Sequence, residues 1–496
     1  MGDPLEQLKS RLTDLHGLGD IAFLLGWDQR TIMPPAGTGH RAQHLALLQR
    51  LAHEKLTDPE IGRLLSEIDA GSLDPDSDDA GLVRLAQRTY DKAVQVPVAL
   101  RGEMALASAE ANPVWVRAKE TSDFAMFLEP LERNVELRHR YVECFEPQEE
   151  PYDVLLDDFE PEMKTEDVSL IFDEIKAELV PLIAALRDRE VDDSFLVGHF
   201  PLDRQLALDH EVVDMFGHRP DTWRIDPTEH PFASGAGIDD IRITTHYYED
   251  SLKSLFSTMH EYGHGLYEHQ IPRRFAHLPI GTGCSLGLHE SQSRMWENLV
   301  GRSLPFWRFF YPRLQEAFPE QLRGVEVERF YAAVNRVQPS LIRIRADEVT
   351  YGMHVILRFE LEQDIVNGRV QLRDLPLRWN EKMNDYLGVE VPDDANGVLQ
   401  DTHWASGLIG YFSTYLLGTV MSVQIWEKAM EDIPDLEDRI ERGDFAALRE
   451  WLGDHVHALG RKYTPEETLR RIVGTGIDAK PYLAYLKRKY GAAVTA

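Results

Sequence analysis

Apolar residues recur every three or four positions through most of this chain, and that period constrains its fold more than any other feature. "DAGLVRLAQRTYDKAV", "DVSLIFDEIKAELVPLIAALRD" and "FAALREWLGDHVHALGRKY" each carry a stripe that only a helix gathers on one face. Helix-start residues accompany the stripes: Asp58 before "PEIGRLLSEI", Thr165 before "EDVSLIF" and Thr464 before "PEETLRRI". β-Branched and polar residues alternate only around 238–250, "IDDIRITTHYYED", after the turn-rich "FASGAGIDD". No solenoid repeat, low-complexity tract or long Gly/Ser linker interrupts the pattern. "DPDSDDAG" at 74–81 reads as a solvated loop. "FEPQEEPYD" at 145–153 reads as a Pro-broken corner and the place for a subdomain boundary. The expected fold is mostly α: one large helical unit over residues 1–496 with a deep internal groove, and a small β-sheet next to the helix that carries residues 257–270.

Charge removes two classes of partner. The chain has 84 Asp and Glu against 53 Lys and Arg, a formal −31, and a field of that sign repels nucleic-acid phosphates and anionic lipid. One uncharged run, Ala405 to Trp426, is long enough to span a bilayer. It lacks a basic flank, with Asp401 before it and Glu427 and Lys428 after, and Tyr411, Ser413, Thr414, Tyr415 and Gln424 would face lipid poorly. A helix buried within a large helical protein explains the run better. The two cysteines, Cys144 and Cys284, have no zinc-site spacing and read as buried thiols. The start "MGDPLEQLKSRLTDLH" has no apolar signal core, and Glu6 stands where a myristoylation signal wants Ser or Thr. A cytoplasmic location is expected.

Chemistry concentrates in "STMHEYGHGLYEHQ", residues 257–270. His260 and His264 are four apart, so both imidazoles leave one face of a helix. Glu261 lies about 100° around the axis, placed to face a metal-activated water without ligating. A catalytic zinc site needs a third protein ligand and one open position. Tyr267 and Gln270 exclude the HExxHxxGxxH arrangement, and no HxxEH order occurs. Glu268, eight residues from His260 and about 12 Å along the axis, is too far to join the same ion; it and His269 read as ordinary polar helix residues. The next amphipathic segment, "LGLHESQSRMWENLVG" at 286–301, offers His289 and Glu290, with Leu288, Met295, Trp296 and Leu299 toward the core. Spacing favours Glu290, which gives a His-His-Glu set, but a helix-start carboxylate would look the same.

Six sequence elements in order give the chain a resemblance to the carboxypeptidase Taq family of metallocarboxypeptidases, running essentially end to end. They are "HPF" at 230–232, Asp240-Ile-Arg242-Ile-Thr244, His260 to His264, "HESQ" at 289–292, Ile342-Arg343-Ile-Arg-Ala346-Asp347, and Gly397 to Trp404. One departure is Ser413 in "GYFSTY", where Pro is more common in the family. The resemblance implies a mostly helical, usually dimeric enzyme with a deep groove. It implies removal of single residues from peptide C-termini with broad specificity, with zinc or, in some members, cobalt or manganese. It also makes His260, His264 and Glu290 the metal ligands and Glu261 the base.

Further roles follow from the chemistry such an enzyme needs. The oxyanion requires donors, and His403 with a tyrosine of "GYFSTY" are candidates. Tyr415 is preferred to Tyr411 because twelve residues separate it from His403, as in related HExxH oligopeptidases. Arg343 is the expected grip on the substrate's terminal carboxylate, a charge with no other evident use, while Arg345 reads as a solvated neighbour. Asp240 and Arg242 either shape the groove's closed end or pair with each other, and His289 either backs a ligand or faces substrate. Expected partners are a peptide with a free C-terminus and a second copy of the chain, with no nucleic acid and no membrane. An endo-acting oligopeptidase or dipeptidyl carboxypeptidase is the competing reading, and a non-catalytic helical scaffold a remote one.

Overall fold

Local signals account for some of the helix starts. Asp58 and Thr464 each accept a backbone N–H from the first turn of the helix they precede. Thr165 does not cap. It is the first residue of the Thr165–Leu186 helix, and Asp153, from twelve residues upstream, accepts both its N–H and its hydroxyl at 2.7 Å. At 74–81 the loop is shorter than expected, because a helix already starts at Asp78.

The computed structural model describes residues 2–491; 66% of it is helical, with one three-stranded sheet. The chain divides into two compact units. The first holds Met1–Val94, Asp192–Val334 and Ile425–Gly476, and the second Gln95–Val191, Asn335–Gln424 and Ile477–Ala496. The Pro-broken corner at 145–153 lies inside the second unit.

In the first unit the chain opens with a helical hairpin, α1 (Pro4–Thr31) and α2 (Thr38–Leu56). The sheet follows: β1 (Trp223–Pro227), β2 (Ala233–Gly235) and β3 (Ile241–Thr245), in the order β1-β3-β2. β3 runs parallel to β1 and antiparallel to β2. Only β3 falls in the predicted 238–250 stretch. "WRIDP", with charged residues and a proline, and the three-residue "ASG" do not announce strands, and become strands because β3 offers them a ladder. Next comes α3 (Lys253–His269), then α4 (Leu286–Arg294), which continues through a π-helical turn at Met295–Val300. Trp296, Tyr262, Phe216, Phe306 and Phe445 form a buried aromatic core behind these helices. Leu288, Met295 and Leu299 are buried as expected.

In the second unit α5 (Tyr351–Val366) is buried along almost its whole length, its Phe359 packed edge-on against Tyr152 and Phe172. The uncharged run at 405–426 is not one helix: α6 spans Ser413–Asp432 and residues 405–412 are irregular. Ser413, where the family more often has Pro, is the first helical residue. A missing N–H is tolerated at that position, so either residue serves there. Among the described residues no helix is long and apolar enough to cross a membrane. Cys284 is buried, but Cys144 is only half-buried, contrary to expectation, because it lies in the turn that follows a helix ending at Val142.

One buried acid gives the fold a pH dependence. Asp209 is fully buried; one oxygen accepts from Thr258 Oγ1 at 3.0 Å and the other has no hydrogen-bond partner. Burial pushes its carboxyl up to about 8 from a usual 3.8. Below pH 4 both folded and unfolded states hold the proton. Between pH 4 and 8 the unfolded chain ionises first, so stability falls as pH rises and then levels off. Asp209→Asn is expected to gain stability relative to wild type across that window, by on the order of 5 kcal/mol. Denaturation midpoints of the two proteins at pH 4.5 and pH 8 measure this; parallel curves would contradict it.

Candidate metal centre and active site

α3 lies between the sheet and α4, and two glycines let it. A Cβ on Gly263 would stand 2.4 Å from Gln292 O of α4, and one on Gly265 would stand 2.7 Å from the Trp223 ring of β1. Glycine at 263, inside HEYGH, therefore permits the close helix crossing that brings Glu290 under His260 and His264.

His260 Nε2 and His264 Nε2 lie 3.6 and 3.4 Å from the same oxygen, Glu290 Oε2. The three donors all fall within 4.8 Å of one another. Ligands held about 2.1 Å from one tetrahedral ion are separated by about 3.4 Å, so this set fits a divalent cation. Arg294 Nε donates to the other oxygen, Glu290 Oε1, at 2.7 Å, while Ser293 Oγ, 2.7 Å from the Glu290 carbonyl, also lies 3.1 Å from Oε2. Burial opposes the Glu290 charge, but Arg294 and the two imidazoles outweigh it and hold the carboxyl far below its usual range.

Glu261 is buried beside these donors, and among the described residues its carboxylate makes no hydrogen bond. A group that takes and returns a proton needs that freedom. Burial lifts it to about 7, against the pull of His260.

Behind the ligands stand residues that sequence reasoning missed. Glu297 Oε2 lies 2.9 Å from His260 Nδ1, and Arg294 bridges Glu297 and Glu290. Glu290, Arg294 and Glu297 are spaced by four and three along one helical run, which was the available signal. His289 lies outside the three-donor cluster: its Nδ1 is 2.6 Å from His264 Nδ1. Glu268 is not the ordinary polar helix residue expected. Its Oε1 lies 2.8 Å from His289 Nε2 and accepts from Thr282 Oγ1 and Gly283 N. One turn beyond His264, it is too far for the ion but well placed for the ring behind a ligand. His269 Nδ1 meets the carbonyl of Ile238 and takes no part. Asp240 and Arg242 form a bidentate pair at 2.8 and 2.9 Å at the edge of β3, and the Arg242 guanidinium lies over Trp27.

The other predicted residues gather in the second unit. Arg343 is buried and, contrary to expectation, already engaged. Its Nε and Nη2 donate to Asp401 Oδ1 and its Nη1 to Tyr351 Oη. Asp401 Oδ2 accepts from Arg358. Two guanidiniums thus share one carboxylate, leaving an excess positive charge in a buried cluster. His403 Nε2 lies 3.4 Å from Tyr415 Oη, and its ring meets Tyr411 and Phe412. Burial lowers His403 to about 4, so it is neutral at pH 7 with one N–H to give. Arg345 is exposed. The segment's shape depends on Glu362 of α5, whose carboxylate accepts from Tyr152 Oη, Trp404 Nε1 and Gly410 N, next to His403 and Tyr411. Nothing in its local sequence announces that role.

A helical scaffold carrying two histidines and a glutamate around a common point, with a free glutamate beside them, defines a metallopeptidase. Comparison with known proteins is specific. The sequence profile of the carboxypeptidase Taq (M32) metallopeptidase family matches residues 7–490. Thermostable carboxypeptidase 1 of Thermus thermophilus is 41% identical over 96% of both chains. That of Pyrococcus furiosus is 35% identical over 98% of both. The crystal structure of the M32 carboxypeptidase from Deinococcus radiodurans R1 superposes with a TM-score of 0.95 at 38% identity, covering 100% of both. The chain belongs to the carboxypeptidase Taq (M32) family and is a metallocarboxypeptidase.

Proposed function

We propose that this enzyme is a zinc carboxypeptidase that releases single residues from peptide C-termini with broad specificity, using Glu261 as general base. Cobalt or manganese fits the same mixed nitrogen and oxygen donors. When bound, the ion supplies Lewis acidity to a water molecule and to the scissile carbonyl. Glu261 takes the water's proton and delivers it to the leaving nitrogen. Tyr415 and neutral His403 supply donors to the oxyanion, with Tyr411 packed against both. Arg343 receives the terminal carboxylate. The excess positive charge shared by Arg343, Arg358 and Asp401 carries this exopeptidase reading, because a buried unpaired cation is costly until an anion arrives. A cytoplasmic location suits the two free thiols.

Mass spectrometry of a peptide digest tests the assignment. A ladder shortened one residue at a time from the C-terminus is expected, abolished by chelation and restored by zinc or cobalt. Internal cuts, or dipeptides as first products, would favour an oligopeptidase or dipeptidyl carboxypeptidase instead.

The partner proposed for assembly is a second copy, docking on the α1–α2 hairpin. α1 buries only Leu8, Leu12 and Trp27, and α2 buries nothing. Ion pairs Asp28–Arg41 and Asp14–Lys55 set an antiparallel register that puts Leu47 opposite Ala22. Exposed Leu47 therefore lies level with exposed Ile21, Phe23 and Leu24 along the hairpin. Residues 4–56 carry six Lys and Arg against five Asp and Glu, while the whole chain is at −31. A nearly neutral hairpin limits the repulsion between two acidic copies. Light scattering should show a dimer, and Phe23→Glu with Leu47→Glu a folded monomer; a dimer untouched by these changes would place the interface elsewhere.

A further inference from the structure

The two imidazoles of the metal site are backed differently, and the difference assigns work to residues outside the ligand set. His260 has a carboxylate directly behind it, Glu297. His264 has another imidazole, His289, and only behind that a carboxylate, Glu268. A carboxylate fixes its neighbour's tautomer because it can only accept. An imidazole can do either, so at His264 the choice must come from farther back.

Glu268 settles it. One of its oxygens collects three contacts: Thr282 Oγ1 at 3.0 Å, Gly283 N at 3.1 Å and His289 Nε2 at 2.8 Å. A backbone N–H can only donate, so with Gly283 N and Thr282 Oγ1 directed at this oxygen Glu268 meets His289 as an acceptor. In the neutral His289 ring the proton therefore sits on Nε2, and Nδ1 presents a lone pair. At 2.6 Å, His264 Nδ1 must be the donor into that lone pair. Its own lone pair is then left on Nε2, the atom 3.4 Å from Glu290 Oε2. The opposite tautomer would aim an N–H at the metal position and leave two lone pairs facing each other behind it. The seat for the middle ring is built: His289 lies against the Tyr267 ring, centroids 5.1 Å apart, and a Cβ on Gly283 would stand 2.6 Å from His289 Cδ2.

We infer that Glu268 and His289 are positioning residues that act as a two-step relay, holding His264 in the tautomer that can ligate the divalent ion. This rests on the His260, His264 and Glu290 metal reading. Full-length protein titrated with zinc against a chromophoric chelator tests it. His289→Phe fills the seat without an acceptor and should weaken zinc binding about 10–100-fold. His289→Gln, whose amide oxygen can accept from His264, should recover most of that loss. Glu268→Gln should fall between wild type and His289→Phe. In the cobalt-loaded protein, wild type should show two slowly exchanging imidazole N–H signals, and His289→Phe only the one that Glu297 protects. Zinc affinity within threefold of wild type in both His289→Phe and Glu268→Gln, or two protected signals in the former, would overturn the relay. Glu290→Ala is the control for the metal reading: its loss of zinc, beside unchanged His289→Phe affinity, sinks the relay alone.

Discussion

Glu261→Gln is expected to lower kcat by about three orders of magnitude while a full equivalent of metal stays bound. The glutamine keeps the size of the side chain and removes its ability to take a proton. Glu261 sits beside the ligands without a hydrogen bond of its own among the described residues, so the substitution disturbs no network. Glu290→Ala should do the opposite, losing the metal and activity together, because Glu290 Oε2 is the atom both imidazoles face. Steady-state rates beside elemental analysis separate the two outcomes. Turnover within tenfold of wild type in Glu261→Gln would show that the base is another group.

Amidating a substrate's C-terminus is expected to lower kcat/KM by about two to three orders of magnitude, or about 3–4 kcal/mol, while acetylating its N-terminus changes little. The amide removes the anion that the Arg343 cluster lacks. Arg343→Ala should cost a similar factor on the free acid and almost nothing further on the amide, because both changes delete one interaction. Arg343 also holds Asp401, so the variant loses stability as well as binding; the amide substrate controls for that, since misfolding lowers both rates equally. Equal rates on acid and amide in wild type would refute the carboxylate grip.

The helical class and the placing of His260 and His264 on one helix face were legible in the sequence because each depends on short-range spacing. The three- and four-residue period makes helices, and the same period sets His260 and His264 on one face. Glu290 was legible as a candidate because its spacing from His264 leaves room for a loop and an antiparallel return. What stands behind these residues was not legible. Glu268, His289 and Glu297 reach the ligands only where Gly263 lets two helices cross closely, and spacing along one helix says nothing of which ring lies behind another. Arg343 was singled out as a spare charge, whereas the fold gives it Asp401, and Arg358 with it. β1 and β2 have too little pattern of their own and exist because β3 pairs with them. Periodicity is written residue by residue and survives in any fold; a hydrogen-bond partner far along the chain is chosen only when the packed helices decide which polar groups must share a buried space.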